Sequence, residues 1–141
     1  MDLKEKIHTI MKDYPLAALA TVTEDGRPWA RYILIAGEKD LSIKFRTSMN
    51  SRKVAHINHN PEVHVTCGAS AANSMTPYLQ IEGKARITRD ESLRKQMWMD
   101  ELKNYFTGPD DPNYCIGIIE PYRIEHFSMS QTPEIWEPAK K

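Results

Sequence analysis

The chain has 141 residues, which fits a single domain over 1–141 that is long enough to bury a hydrophobic core. Its 19 basic and 19 acidic residues give a net charge of zero, which does not favour nucleic acid or an anionic membrane as a partner. No apolar run approaches the roughly 18 residues of a membrane span, and the charged start, Met1–Lys6, is unlike a signal peptide. Cys67 and Cys115 lie in separate apolar stretches and are expected to be buried reduced thiols. We therefore predict a cytoplasmic protein.

The first third of the chain predicts one helix and three strands. Apolar residues at helical spacing indicate a helix over 2–14. Two apolar runs, over 16–22 and 28–36, flank the dipeptide Asp25-Gly26, which is typical of a β-hairpin. After a short turn, a third strand is expected over 41–47. These strands are predicted to form an antiparallel meander.

The middle of the chain predicts a short helix and two further strands. The helix is expected over 51–60, and alternating apolar residues predict a strand over 62–68. The small and polar segment 69–76 is expected to be a turn or a loop. A long strand follows over 78–88, in which Gly83 indicates a bulge or bend.

The last third predicts one helix and two strand segments. Asp90 is expected to cap a helix whose apolar residues pack in the core; these are Leu93, Met97, Trp98, Leu102 and Phe106. Strands are predicted over 116–119 and 122–127, kinked at Pro121. Six or seven short antiparallel strands with peripheral helices predict a mainly β fold, either a small barrel or a sandwich.

The segment Phe45–Lys53 runs from the end of a strand through a polar turn into the short helix. Helix N-termini leave backbone N–H groups unpaired and carry partial positive charge, so they favour a phosphate. Ser51 is placed to cap this helix, and the cations of Arg52 and Lys53 oppose its dipole unless an anion is bound. The alternative is a solvated charge pair at the start of an ordinary helix. We expect this helix to face a ligand groove.

Arg31 and three histidines are further candidates for binding chemistry. Arg31 lies in an apolar strand, where a buried cation requires an anion or a carboxylate. A structural salt bridge and a bound phosphate both satisfy that need, and we favour the phosphate. His56, His59 and His64 lack the cysteine or carboxylate that would complete a metal pattern, so no metal site is predicted.

Four motifs follow one another along the chain with consistent spacing. They are Pro28-x-x-Arg31-x-Ile33, Phe45-x-Thr47-Ser48-x-x-Ser51-Arg52-Lys53, Ile81-Glu82-Gly83-Lys84-Ala85 and Pro121-x-x-Ile124-Glu125. Together they resemble the pyridoxamine 5′-phosphate oxidase-like flavoproteins, and within them the general stress protein 26 group. The resemblance implies an FMN-binding split β-barrel of six or seven antiparallel strands. It also implies a homodimer with FMN at the subunit interface.

The same resemblance implies a set of cofactor-binding residues. They are Arg31, Tyr32, Ile33, Arg46, Thr47, Ser51, Arg52 and Lys53. In this family pattern Arg31, Arg52 and Lys53 would bind the FMN phosphate, and the other polar members would add main-chain, hydroxyl or capping contacts. The main chain of 31–33 would run along the isoalloxazine ring. The phosphate contacts favour FMN over riboflavin and FAD.

The chain also departs from the true oxidases of this family. Tyr78 stands where they carry a flavin-contacting Gln, Phe127 replaces a Trp, and their Arg-x-His element is not found. Vitamin B6 oxidation is therefore not assigned. The expected function is an FMN-dependent oxidoreductase acting on a small molecule, with no catalytic side chain named. The alternatives are a non-catalytic flavin-binding stress or redox-sensing protein, or a haem or deazaflavin relative with His56 or His64 as a haem ligand. Trp136 is expected either to cover a flavin edge or to pack on the dimer partner.

Overall fold

The fold is taken from a computed structural model that describes residues 1–69, 77–128 and 132–139. Apart from Ala69, the loop predicted over 69–76 lies outside the described residues. No helix within these ranges is long and apolar enough to cross a membrane. The elements are, in chain order, α1 (Leu3–Asp13), β1 (Leu16–Val22), β2 (Pro28–Leu34), β3 (Ala36–Gly37), β4 (Ile43–Ser48), α2 (Arg52–His59), β5 (Glu62–Gly68), β6 (Tyr78–Thr88), α3 (Glu91–Gln96), a 3₁₀ helix (Asp100–Asn104), β7 (Tyr114–Phe127) and β8 (Glu134–Trp136).

The described strands form one antiparallel sheet in the order β2-β1-β5-β6-β7-β4-β3, with β8 paired to β7. Ile33 of β2 and Phe45 of β4 come from strands near opposite ends of this order, yet both belong to the main hydrophobic core. The sheet therefore curls around that core, which α1 covers with Ile7 and Met11. The prediction of a mainly β fold with short helices is confirmed. The bounds of β1, β5 and β6 are those predicted.

The predicted meander is correct only for its first hairpin. β1 and β2 pair along their whole length, with Gly26 at a φ of 85° in the turn. Beyond Leu34 the chain leaves β1, and only the two-residue strand β3 pairs with β4. β4 instead forms six residue pairs with β7, so the longer ladder fixes its place in the sheet. β4 also begins two residues later than predicted, because Leu41 has a φ of 74° and lies in the preceding turn.

The helix predicted after Asp90 is two shorter helices. Asp90 caps α3 as expected, since its carboxylate accepts from the Leu93 backbone N–H. Met99 is extended, however, and separates α3 from the 3₁₀ helix. The break lets both pieces pack on Tyr114 in a second small core, with Met97 and Phe106 buried there. Tertiary packing thus overrides a helical spacing that had no internal breaker residue.

The two strand segments predicted around Pro121 are one 14-residue strand, β7. The predicted bulge at Gly83 is present, because the pairing with β7 shifts register between Glu82 and Gly83, opposite Pro121. Proline has no N–H to donate, and at a bulge this costs no ladder hydrogen bond. β7 therefore continues through Pro121 without a break.

Gly117 allows the ring of Phe45, its cross-strand partner, to lie directly against the β7 backbone. A Cβ at this position would overlap the Phe45 ring. We expect Gly117→Ala to lower the free energy of unfolding by about 1–3 kcal/mol through overpacking, measured by urea denaturation. Gly108→Ala is the matched control, since its Cβ would meet no heavy atom within 4 Å. An equal stability of the two variants would contradict this account of the core.

Both cysteines are free and buried, as predicted. Burial raises the pKa of Cys67 to about 12 and that of Cys115 to about 11. Neither thiol is therefore an activated nucleophile at neutral pH. Trp136, whose role the sequence left open, pairs with Ile124 of β7 and packs against the main core of its own chain.

Candidate cofactor site

A groove of about 570 Å³ lies where the end of β2, the end of β4, the start of α2 and the segment around the 3₁₀ helix meet. Its lining combines polar groups from the β4–α2 connection with an apolar wall. The lining residues are Tyr32, Ile33, Leu34, Arg46, Thr47, Ser48, Ser51, Lys53, Met99, Leu102, Tyr105 and Phe106.

The groove brings together six of the eight residues predicted to bind a cofactor. These are Tyr32, Ile33, Arg46, Thr47, Ser51 and Lys53. The remaining two, Arg31 and Arg52, adjoin lining residues in the chain but do not line the groove themselves. The arrangement agrees with the expectation that α2 begins at a ligand groove. The binding role of each residue stays a prediction.

The start of α2 is held by side chains rather than by the predicted Ser51 cap. Ser51 occupies the N-cap position, but its hydroxyl makes no capping hydrogen bond. It lies 3.1 Å from the Thr47 hydroxyl, which also accepts from the Lys53 ammonium at 3.0 Å. The N-terminal N–H groups of α2 are thus left without a side-chain cap, which suits a site for an anion.

Arg31 makes hydrogen bonds with neutral acceptors only. Its Nη1 donates to the Thr21 hydroxyl at 2.7 Å and to the carbonyls of Trp29 and Leu19 at 3.1 and 3.3 Å. Its Nη2 lies 3.4 Å from Nδ1 of His56. Within the described part of the chain Arg31 forms no ion pair, so the structural salt bridge considered from the sequence is not observed.

Burial and neighbouring positive charge both lower the affinity of cations at this site for protons. Burial, followed by the charge of Arg52, lowers the pKa of Arg31, and burial, followed by the charge of Arg31, lowers the pKa of Lys53. No ion pair among the residues described includes Arg31, Arg46, Arg52 or Lys53. Like charges that form no ion pair create a positive potential that attracts an anion.

Arg46 and Arg52 are placed by different contacts. Arg46 Nε donates to the Met97 carbonyl, which the break after α3 leaves free to accept. The broken helix therefore fixes a cation of the groove. The guanidinium of the exposed Arg52 lies over the Trp29 ring, 5.6 Å from its centroid. Such a cation–π contact contributes about 0.5–1 kcal/mol at an exposed position.

Sequence reasoning missed the apolar wall of the groove. Met99, Leu102, Tyr105 and Phe106 line it, although Leu102 and Phe106 were expected only in the core. Tyr105 is 78% exposed, so its ring is accessible to a molecule in the groove. The exposure of Tyr105 is visible in the structure, whereas helical spacing in the sequence does not show it.

His56 belongs to the hydrogen-bond network around Arg31. Its Nδ1 lies 2.8 Å from the Thr21 hydroxyl, and burial followed by the charge of Arg31 lowers the pKa of His56. Among the residues described, no group of three His, Cys, Asp or Glu side chains could hold a metal ion.

The lining residues define what the groove can do chemically. Guanidinium, ammonium and hydroxyl groups at one end would bind a phosphate, and the apolar wall would accept a flat aromatic group. The lining contains no carboxylate, imidazole or thiol. Its residues can therefore bind and orient a reactive group, and the lining groups able to exchange a proton are the Lys53 ammonium and the phenols of Tyr32 and Tyr105.

The two positions that depart from the oxidase pattern contact each other. Tyr78 and Phe127 are cross-strand partners on β6 and β7, and their rings stack with centroids 5.1 Å apart and planes 7° apart. The substitutions therefore form one aromatic pair, and neither residue lines the groove.

The structure is thus that of a mainly β protein whose curled antiparallel sheet carries a groove lined by Arg46, Lys53 and an apolar wall. A family model described as pyridoxamine 5′-phosphate oxidase matches residues 3–128. The chain belongs to this family.

Its relatives extend the match along nearly the whole chain. The chain is 33% identical to general stress protein 26 of Bacillus subtilis (strain 168), covering 92% of this chain and 91% of that protein. The crystal structure of general stress protein 26 from Bacillus anthracis str. Sterne superposes with a TM-score of 0.83 at 31% identity, covering 98% of this chain and all of that one. The predicted resemblance and the split-barrel fold are both confirmed.

Two other proteins match this chain with lower coverage or lower sequence identity. A pyridoxine/pyridoxamine 5′-phosphate oxidase of Vibrio cholerae is 34% identical over 77% of this chain, which spans only 46% of that enzyme. The chain thus spans about half the length of this oxidase. The structure of a pyridoxamine 5′-phosphate oxidase-related, FMN binding protein from Nostoc punctiforme matches with a TM-score of 0.74 over 96% of this chain and 88% of that one, but at 17% identity it shows the fold alone.

Proposed function

We propose that the chain binds FMN in this groove and acts as an FMN-dependent oxidoreductase on a small molecule. The observation that carries the proposal is the group of cations on β2 and at the start of α2, which form no ion pair with a carboxylate among the described residues. FMN carries the phosphate that such a group would bind and the aromatic ring that the apolar wall would accept. The family match supports the same cofactor.

The residues present fit the two ends of FMN. Arg31, Ser51, Arg52 and Lys53 would hold the phosphate, and Arg46 and Thr47 would add donors beside it. The main chain of Tyr32 and Ile33 would run along the ring. Hydrogen bonds to charged groups contribute roughly 1.5–3 kcal/mol each, so several phosphate contacts would favour FMN over riboflavin by on the order of 5 kcal/mol after allowance for non-additivity.

The bound flavin would supply hydride or electron transfer, and the chain would supply orientation and electrostatics. Lys53 and Arg46 would keep positive charge at the site, while Met99, Leu102 and Phe106 would exclude water from one side. Because the groove lining has no carboxylate, imidazole or thiol to act as an acid or base, a flavin-binding protein without turnover is the second candidate. Oxidation of pyridoxamine 5′-phosphate forms no part of the proposal.

We also propose that two copies of the chain form a homodimer through the outer face of β1 and β2. Cross-strand partners Leu16 and Leu34 are each 61% exposed, and the neighbouring Tyr32 is 77% exposed. Monomeric proteins seldom leave such a contiguous apolar surface in water. Tyr32 and Leu34 also line the groove, so a second copy on this face would complete its wall.

The test of the cofactor is the visible spectrum of the purified protein, followed by identification of the chromophore released on heating. We expect about one FMN per chain. A colourless protein that also fails to take up added FMN would contradict the proposal, and a Soret band would favour haem. Anaerobic reduction by NADH or NADPH, followed by reoxidation with candidate acceptors, then separates turnover from binding alone.

A further inference from the structure

Arg31 is held in a way that leaves part of its guanidinium free. The group has five N–H donors. Nη1 is engaged by the Thr21 hydroxyl and by two backbone carbonyls, and Nη2 approaches His56. The Nε–H has no acceptor among the residues described, and only one contact engages the two hydrogens of Nη2. Nε–H and an Nη2 hydrogen form the side of a guanidinium that binds a phosphate through two parallel hydrogen bonds.

On the opposite side of the guanidinium, Arg31, Thr21 and His56 form a short hydrogen-bond network, which we call the relay. Thr21 on β1 is 1% exposed, and its hydroxyl accepts from Arg31 at 2.7 Å. A guanidinium only donates, so the Nδ1 of His56 must be the acceptor in its contact with Arg31. The Thr21 hydroxyl can then donate to the same Nδ1, 2.8 Å away. This geometry gives His56 a neutral ring with its proton on Nε2.

The neutrality of these acceptors matters for binding. A carboxylate beside Arg31 would fix the side chain but would also cancel its charge. Hydroxyl, carbonyl and imidazole acceptors offset part of the cost of burying the guanidinium and leave its charge available. The relay therefore orients a cation without neutralising it.

We infer that Thr21 and His56 are positioning residues that orient Arg31 toward the phosphate and thereby set the preference for FMN over riboflavin. The inference rests on the proposed function, because it requires the phosphate to lie at Arg31. It adds two residues from outside the groove lining to the site, one from β1 and one from the middle of α2.

The test compares FMN and riboflavin affinities of the flavin-free protein by fluorescence titration. Thr21→Val keeps the side-chain shape and removes the hydroxyl, whereas Thr21→Ser keeps the hydroxyl. We expect Thr21→Val to weaken FMN binding about tenfold or more with riboflavin affinity unchanged, and Thr21→Ser to restore the wild-type ratio. His56→Leu and His56→Asn form a second pair, since an Asn oxygen can replace Nδ1 as acceptor.

Each outcome bears on a different part of the inference. An unchanged FMN-to-riboflavin ratio in Thr21→Val and His56→Leu would overturn it, and so would an equal loss of both flavins, which indicates a structural role. Arg31→Ala separates this failure from failure of the site. If Arg31→Ala loses FMN selectively and the relay variants do not, only the positioning role is wrong. If the wild-type protein does not prefer FMN over riboflavin, the phosphate site fails as well.

Discussion

Replacing Arg52 and Lys53 together by alanine is expected to weaken FMN binding at least ~100-fold while the fold remains intact. Each removed cation would cost about 1.5–3 kcal/mol if it contacts the phosphate, and about 1.4 kcal/mol corresponds to a tenfold change in affinity. Lys53 lines the groove and Arg52 precedes it in the first turn of α2. The measurement is titration of the flavin-free variant with FMN, with the melting temperature recorded in parallel.

A matched control variant loses the same number of positive charges at positions outside the groove lining. Lys12→Ala combined with Lys39→Ala also removes two positive charges, from exposed positions outside the groove lining. We expect this variant to bind FMN like the wild-type protein at physiological salt, where surface charges are screened beyond about 8 Å. Unchanged FMN retention in the Arg52/Lys53 variant would remove the site assignment, whatever the control does.

Leu16→Asp is expected to convert the proposed dimer into a monomer and to release FMN with it. Leu16 is 61% exposed in the isolated chain and does not line the groove, so its substitution removes no groove contact. A carboxylate buried without a partner in the interface would cost several kcal/mol, which raises the dimer dissociation constant at least ~100-fold. Analytical ultracentrifugation with detection at the flavin absorbance measures both effects at once.

Ile135→Asp is the control for that experiment. Ile135 lies on β8, is 41% exposed and belongs to neither the β1–β2 face nor the groove. We expect it to leave a flavin-bound dimer. A wild-type protein that sediments as a monomer with FMN bound would contradict the shared-interface model directly.

Local patterns predicted the separate elements well, because they depend on neighbouring residues. The strands over 62–68 and 78–88 were bounded correctly, since alternation and flanking Pro or Gly mark their ends. The predicted place of β4 in a meander was wrong, because its long pairing is with β7 and joins Phe45 to Gly117 across much of the chain. Strand order is a property of the whole core, and one strand's sequence does not contain it.

The residues of the candidate site likewise fall into those that a local motif predicts and those that only tertiary contacts bring together. Thr47, Ser51 and Lys53 lie within seven residues of one another in the chain, so a single motif predicts them as a group. Tyr105 and Met99 reach the groove only because the helix breaks after α3 and its second part packs on Tyr114. Thr21 and His56 meet Arg31 through the pairing of β1 with β2 and the packing of α2. These residues come together only through tertiary structure, so the sequence does not predict them as a group.

The unneutralised cations also bear on how the empty chain folds. Arg31 and Lys53 each lose affinity for protons through burial and like charge, so the folded state without an anion carries a repulsion that the unfolded chain lacks. A ligand that binds only the folded state adds about 2.7 kcal/mol of stability when its concentration is 100 times its dissociation constant. The population of folded molecules is thereby coupled to the supply of the anion, and the chain that lacks it is the form most exposed to proteolysis.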